Sequence, residues 1–147
     1  MTIETIKTVE RVSKRGDYHC IQEYVKLVTP EKTWKFMLKF ELGNSYRYRY
    51  ISVMKPDGTW KIVIEQGFDV PPIKLTEEIF DEARKSGMGW NEHMDQPGSC
   101  YRNYRGVPWD NEPILHKSWY GSCGWEVLLE WKHLRPVMVE HLEAIYG

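Results

Sequence analysis

The chain has 147 residues, 41% hydrophobic and 28% charged, a balance that fits one ordinary globular domain over residues 1–147 and leaves little for two buried cores. A net charge of −1 excludes nucleic-acid binding through overall charge, and excludes an acidic mimic of nucleic acid equally. The N-terminus has no basic stretch leading into an apolar run, no apolar run reaches the roughly eighteen residues of a membrane span, and Cys20, Cys100 and Cys123 are odd in number and widely spaced; a reduced, cytoplasmic protein outside any membrane is the expectation.

Charge is unevenly distributed. Residues 1–66 carry 12 Lys/Arg against 8 Asp/Glu, whereas residues 67–147 carry 8 against 13, so a basic surface belongs in the first half. Seven Trp and nine Tyr are the largest departure in composition, and such side chains enrich both cores and binding surfaces because they join a large apolar body to a polar handle.

The first half reads as an antiparallel meander of about five strands over residues 3–66. Ile3 to Val12 forms one strand, Ser13 to Asp17 a connection, and Tyr18 to Val28 the next strand. On the expected pairing Ile21, Val25 and Leu27 share an apolar face with His19 and Glu23, with Lys7 opposite Glu23 to neutralise it. Thr29-Pro30-Glu31-Lys32 turns the chain into a third strand, where Trp34, Phe36, Leu38 and Phe40 alternate with Lys35, Met37, Lys39 and Glu41. Two loops compete in the next hairpin. A two-residue Gly43-Asn44 turn puts Arg47 opposite Phe40 and Arg49 opposite Leu38; a three-residue loop puts Tyr48 and Tyr50 there instead. Burying unpaired charge is costly, so the second register is expected. Pro56-Asp57-Gly58 then suits a type I turn closed by a left-handed glycine, which pairs Met54 with Trp60, Ser52 with Ile62 and Tyr50 with Ile64, and sets Arg49 against Glu65 on the reverse face.

The second half reads as helices around an irregular segment, which makes the fold class α+β. Acidic residues open and basic residues close a helix near residues 75–86, with Gly87 after it, and Leu75, Ile79, Phe80 and Ala83 can cover the aromatic sheet face. Residues 87–124 show no period but many Gly, Pro and aromatic residues, as an ordered binding loop, a lid or a run of short strands would. Trp125 to Trp131 alternates as a strand would, although Leu128 and Leu129 suit a helix. Pro136 fits the first turn of a final helix near 136–146, with Met138, Leu142 and Ile145 along one stripe.

Three places can carry chemistry. On the expected register the reverse face gathers Lys35, Lys39, Arg47, Arg49 and Lys61 among Met37, Ile51, Val53 and Val63, a mixture that suits an anionic ligand or an acidic partner, and equally an ordinary solvated face. On the apolar side, Glu23, His19 and Tyr48, with Tyr46 and Tyr50, can line a pocket in which desolvation would make a general base of the carboxylate. The repeated pattern H-x4-G-S-C offers His93, Cys100, His116 and Cys123 as a zinc set, but its pairs are wider than zinc sites use; no cofactor is the expectation.

No Walker loop, dinucleotide fingerprint, G-x-S-x-G elbow or HExxH motif occurs. The leading expectation is therefore a small intracellular binding protein, of inhibitor, immunity or regulatory type. It would recognise a partner protein or small anionic ligand through the basic sheet face and the aromatic segment bearing Trp109 and Trp119. The alternatives are a small hydrolase or isomerase using Glu23, His19 and Tyr48, and a nucleic-acid-binding protein using the basic face. The second lacks the aromatic strand signature of RNA-recognition motifs.

Overall fold

The structure is a computed structural model that describes residues 2–13, 18–43, 46–71, 73, 78 and 124–147, with side chains from Leu128 onward in the last stretch. It is an α+β arrangement of one five-stranded antiparallel sheet and a C-terminal helix. Strands β1 (Thr2–Val12), β2 (His19–Val28), β3 (Thr33–Leu42), β4 (Arg47–Met54) and β5 (Trp60–Glu65) lie in sequence order, and helix α1 spans Gly124–Tyr146.

Period-2 alternation makes one face of the sheet dry. Ile21, Val25 and Leu27 of β2, Phe36, Leu38 and Phe40 of β3 and Ile51 of β4 are fully or almost fully buried. Each such side chain contributes about 1.5–3 kcal/mol by leaving water. The helix closes this inner face with Leu134, Met138 and Leu142, spaced four apart along one stripe and all inaccessible to solvent. At its far end the Tyr146 ring packs on Trp34 and Phe36, at 4.8 and 4.9 Å between centroids. Phe68 and Ile73, beyond β5, are buried too.

Helix α1 begins twelve residues before the expected 136, and Trp125 to Trp131 is helix rather than strand. Pro136 lies inside it. Proline removes one helical hydrogen bond and leaves the carbonyl four residues earlier without its donor. Here Pro136 and Lys132 are both exposed, so water can satisfy that carbonyl and the stripe beneath continues unbroken. Of the helix expected near 75–86, Glu78 is helical; the rest of that expectation lies outside the described residues, as does the irregular segment up to residue 123.

The turns explain both the success and the failure of the expected registers. The Lys55–Thr59 turn forms as anticipated: Gly58 donates to the Lys55 carbonyl with φ of 85°, the left-handed region that favours glycine, and Asp57 accepts from the Thr59 amide and hydroxyl at 2.9 and 2.6 Å. Met54 duly faces Trp60, and Ser52 faces Ile62. Beyond that point β5 carries one extra residue, so Ile64 faces Ile51 and Glu65 faces Tyr50, where Tyr50–Ile64 and Arg49–Glu65 were expected.

The β3–β4 hairpin departs further. Gly43 lies just beyond the last ladder pair, Leu42–Arg47, donating to the Tyr46 carbonyl at 3.0 Å, and a Cβ there would run into the Tyr46 ring. Phe40 therefore faces Arg49, Leu38 faces Ile51 and Leu42 faces Arg47. The expected Phe40–Tyr48 and Leu38–Tyr50 pairs do not form, and both arginines turn to the inner face. This is neither of the two registers weighed from the sequence, yet it buries arginine as the rejected Gly43-Asn44 turn would have, and the penalty is offset by a group on a distant part of the chain: Glu130 of α1, only 2% exposed, forms an ion pair with the Arg47 guanidinium. Arg49 reaches the Phe68 carbonyl at 3.5 Å.

A second pair has the opposite polarity. Glu23 of β2 accepts from Arg135 Nε through both oxygens, at 2.7 and 2.8 Å, and from the Thr5 hydroxyl at 3.2 Å. The expected neutraliser, Lys7, stands over the Tyr24 ring on the opposite face. Ile6 is an extra residue in β1, so Thr8 rather than Lys7 faces Glu23.

Candidate interaction surface

Because Arg47 and Arg49 point inward, the neighbouring residues of β4 point outward, and the outer face of the sheet becomes aromatic. Its rows run Tyr24–Met37–Ser52–Ile62 and Gln22–Lys39–Tyr50–Glu65, with Tyr48 beside Glu41 and Met54 beside Trp60. No described element packs on this face.

Tyr24 and Trp60 stand on β2 and β5, three strand spacings or about 14 Å apart at the backbone. Their rings nevertheless meet at 5.7 Å between centroids. They lean together over the small Ser52 and the unbranched Met37, which are consequently 1% and 7% exposed on what is otherwise a half-open face. Gln22 donates to the Met37 sulfur at 3.5 Å, and Tyr48 packs against Tyr50 at 5.1 Å. The result is an aromatic patch whose rings hold one another in place, with Ile62 exposed at its edge.

Two of the lysines on this face are matched. Lys26 pairs with Glu4 at 3.0 Å, and Lys39 with Glu41 at 3.2 Å. Glu41 also accepts from the Tyr18 hydroxyl at 3.2 Å, and Tyr48 donates to Glu65. Burial would raise the Glu41 carboxyl, but hydrogen bonds from Lys39, Tyr46 and Tyr18 outweigh it and hold the group below its ordinary value. Burial would likewise lower Lys39, yet Tyr50 and Glu41 leave it raised. Burial pushes up the Tyr18 hydroxyl and the Cys20 thiol, and the Glu65 carboxylate raises the Tyr48 hydroxyl. Each of these shifts moves its group away from neutrality, whereas general acid–base work needs a group poised near it.

The residues expected to form one basic face are thus divided. Lys35 and Lys39 are on the outer face, Arg47 and Arg49 are beneath the helix, and Lys61 faces Val53 from the exposed edge strand. The pocket expected around Glu23, His19 and Tyr48 does not assemble, because Tyr48 lies on the other side of the sheet with Tyr50. Glu23 is occupied by Arg135, and His19, 3% exposed, holds Glu10 through Nε2 at 2.7 Å. Trp109, Trp119 and the proposed zinc set of His93, Cys100, His116 and Cys123 lie outside the described residues. Among the described residues no His, Cys, Asp and Glu side chains group to hold a metal, and no helix is long and apolar enough to cross a membrane.

Glu130 and Arg135, which let the sheet bury charge, were missed from the sequence. The signal was the spacing Glu130, Leu134, Met138, Leu142, which marks Glu130 as a member of the buried stripe once the helix is carried through Pro136. Searches of protein-family models, curated proteins and solved structures find no match to this chain.

Proposed function

We propose that the protein is a small binding protein that recognises a partner protein through the outer face of its sheet. The observation that carries this reading is the parity of β4, which places Tyr48 and Tyr50 with Tyr24, Trp60, Met37 and Met54 on one face and withdraws Arg47 and Arg49 from it. Tyr, Trp and Met are the side chains that protein interfaces favour, and rings already packed together lose little freedom on binding. Matched lysines leave a rim suited to orienting a partner, with less net attraction for phosphate than five unpaired cations would have given. The nucleic-acid reading loses two of its arginines to the inner face, and the enzymatic reading loses its convergence of Glu23, His19 and Tyr48.

The test compares the wild-type chain with Tyr24→Ala/Trp60→Ala and with Lys132→Ala/Glu140→Ala, a control on the exposed side of the helix. A protein from the native cell that is retained by wild type and control, and lost from the outer-face variant, is the expected result. Equal retention by all three contradicts the proposal. So does capture of nucleic acid that is released in proportion to added salt.

A further inference from the structure

Among the described residues strand β1 is an open edge of the sheet, eleven residues long and exposed along most of its length, with Val12 at 54% and Ile6 at 51% accessible. Such an edge presents a row of backbone donors and acceptors to any strand that can lie against it. A bulge usually blunts an edge of this kind. Here it has the opposite consequence.

Glu4 and Arg11 are seven apart, so in a regular strand they would point to opposite faces. The extra residue at Ile6 corrects the parity. Glu4 faces Lys26 and Arg11 faces Cys20, both on the outer face, while Ile3 faces Leu27 and Val12 faces His19, both on the inner face. Counted outward from Thr8 and passing over Ile6, the two halves of β1 are complementary: Lys7 matches Val9, Thr5 matches Glu10, Glu4 matches Arg11 and Ile3 matches Val12.

We infer that β1 pairs with β1 of a second copy of this chain, antiparallel about a two-fold axis at Thr8. Each Glu4 then lies opposite an Arg11 of the other copy on the outer face, and each Ile3 opposite a Val12 on the inner face. Opposite charges and apolar pairs in directly facing positions are the contacts that stabilise a sheet, and like charges there oppose it. A two-fold interface repeats each contact twice. The outcome is one ten-stranded sheet in which Val9 and Arg11 of each copy extend the other's outer face. Self-pairing stands independently of any partner on the aromatic patch.

The test is sedimentation of the full chain over a range of concentrations, with circular dichroism and unfolding midpoints confirming that each variant folds. Wild type should reach twice the chain mass. Arg11→Glu and Glu4→Arg, each placing like charges opposite one another, should each weaken association at least tenfold, and Glu4→Arg/Arg11→Glu should restore it. A Thr8→Cys chain, which leaves the edge charges untouched, should form a covalent dimer on mild oxidation because the two positions face each other across the axis within disulfide reach. A wild-type chain that stays monomeric overturns the inference. So does a dimer indifferent to Arg11→Glu, or failure of the double exchange to rescue together with no Thr8→Cys dimer.

Discussion

The two faces of the sheet handle polar groups in opposite ways. On the inner face two buried charges are answered by the helix: Arg47 by Glu130, and Glu23 by Arg135. On the outer face charge is answered by near neighbours within the sheet: Lys26 by Glu4, both exposed, and Lys39 by Glu41, both partly buried. The difference is one of dielectric. Breaking a pair under the helix strands a charge where water is scarce, whereas an exposed pair such as Lys26–Glu4 is screened and exchanges readily with solvent.

The largest effect should come from breaking an inner pair. Glu130→Ala leaves the Arg47 guanidinium under the helix without its carboxylate and should cost about 3–5 kcal/mol in urea unfolding. Arg47→Met/Glu130→Leu, which removes both charges and refills the volume, should recover most of that loss. If the single and double variants are equally unstable, the pair is not what reconciles the buried arginine with the core.

Apolar truncation draws the same contrast. Phe40→Ala opens a cavity under α1 and should cost about 3–5 kcal/mol. Tyr50→Ala, on the half-open face, should cost about 1 kcal/mol. Unfolding midpoints that fall equally in the two variants would show that both faces are core.

Arg135→Ala should have an intermediate effect. Glu23 is buried while Arg135 is about a third exposed, and water can partly replace the lost donor, so about 2 kcal/mol is expected. The unfolding free energy of this variant, set beside that of Glu130→Ala, ranks the two pairs by burial.

The smallest effect belongs to the outer face. The Glu41 carboxyl is held below its ordinary value of 4.5 in the folded chain, so the folded state favours its ionised form. The stability this supplies is fully present above pH 4.5 and is lost as pH falls through the lowered folded value. Glu41→Gln should therefore flatten the acid limb of stability below pH 4.5 and leave the alkaline side unchanged, as followed by urea unfolding across that range. Unchanged curvature would mean that Lys39 and Tyr18 do not hold the carboxylate.

Much of the sheet was legible in the sequence because alternation is a local signal. Trp34, Phe36, Leu38 and Phe40 declare one face of β3, and Pro56-Asp57-Gly58 declares its turn. β4 was different. Arg47-Tyr48-Arg49-Tyr50 alternates equally well in either phase, because a tyrosine suits a core and an arginine suits a surface when neighbours are unknown. What fixed the phase lay eighty residues away, in a glutamate on a helix whose reading stopped at Pro136. The candidate surface inherited that ambiguity: Lys35 and Lys39 were placed on the correct face, and the two arginines on the wrong one. The bulges at Ile6 and in β5 shift register by one residue without any Gly or Pro to announce them, which is why Lys7 and Glu65 received the wrong partners.

Every surface assigned here descends from the phase of β4. Cross-strand proton contacts measured by nuclear Overhauser spectroscopy on the labelled chain read that phase directly. The account predicts contacts between Phe40 and Arg49 and between Leu38 and Ile51. Contacts of Phe40 with Tyr48 and of Leu38 with Tyr50 would contradict it, returning the arginines to the open face and the tyrosines to the core.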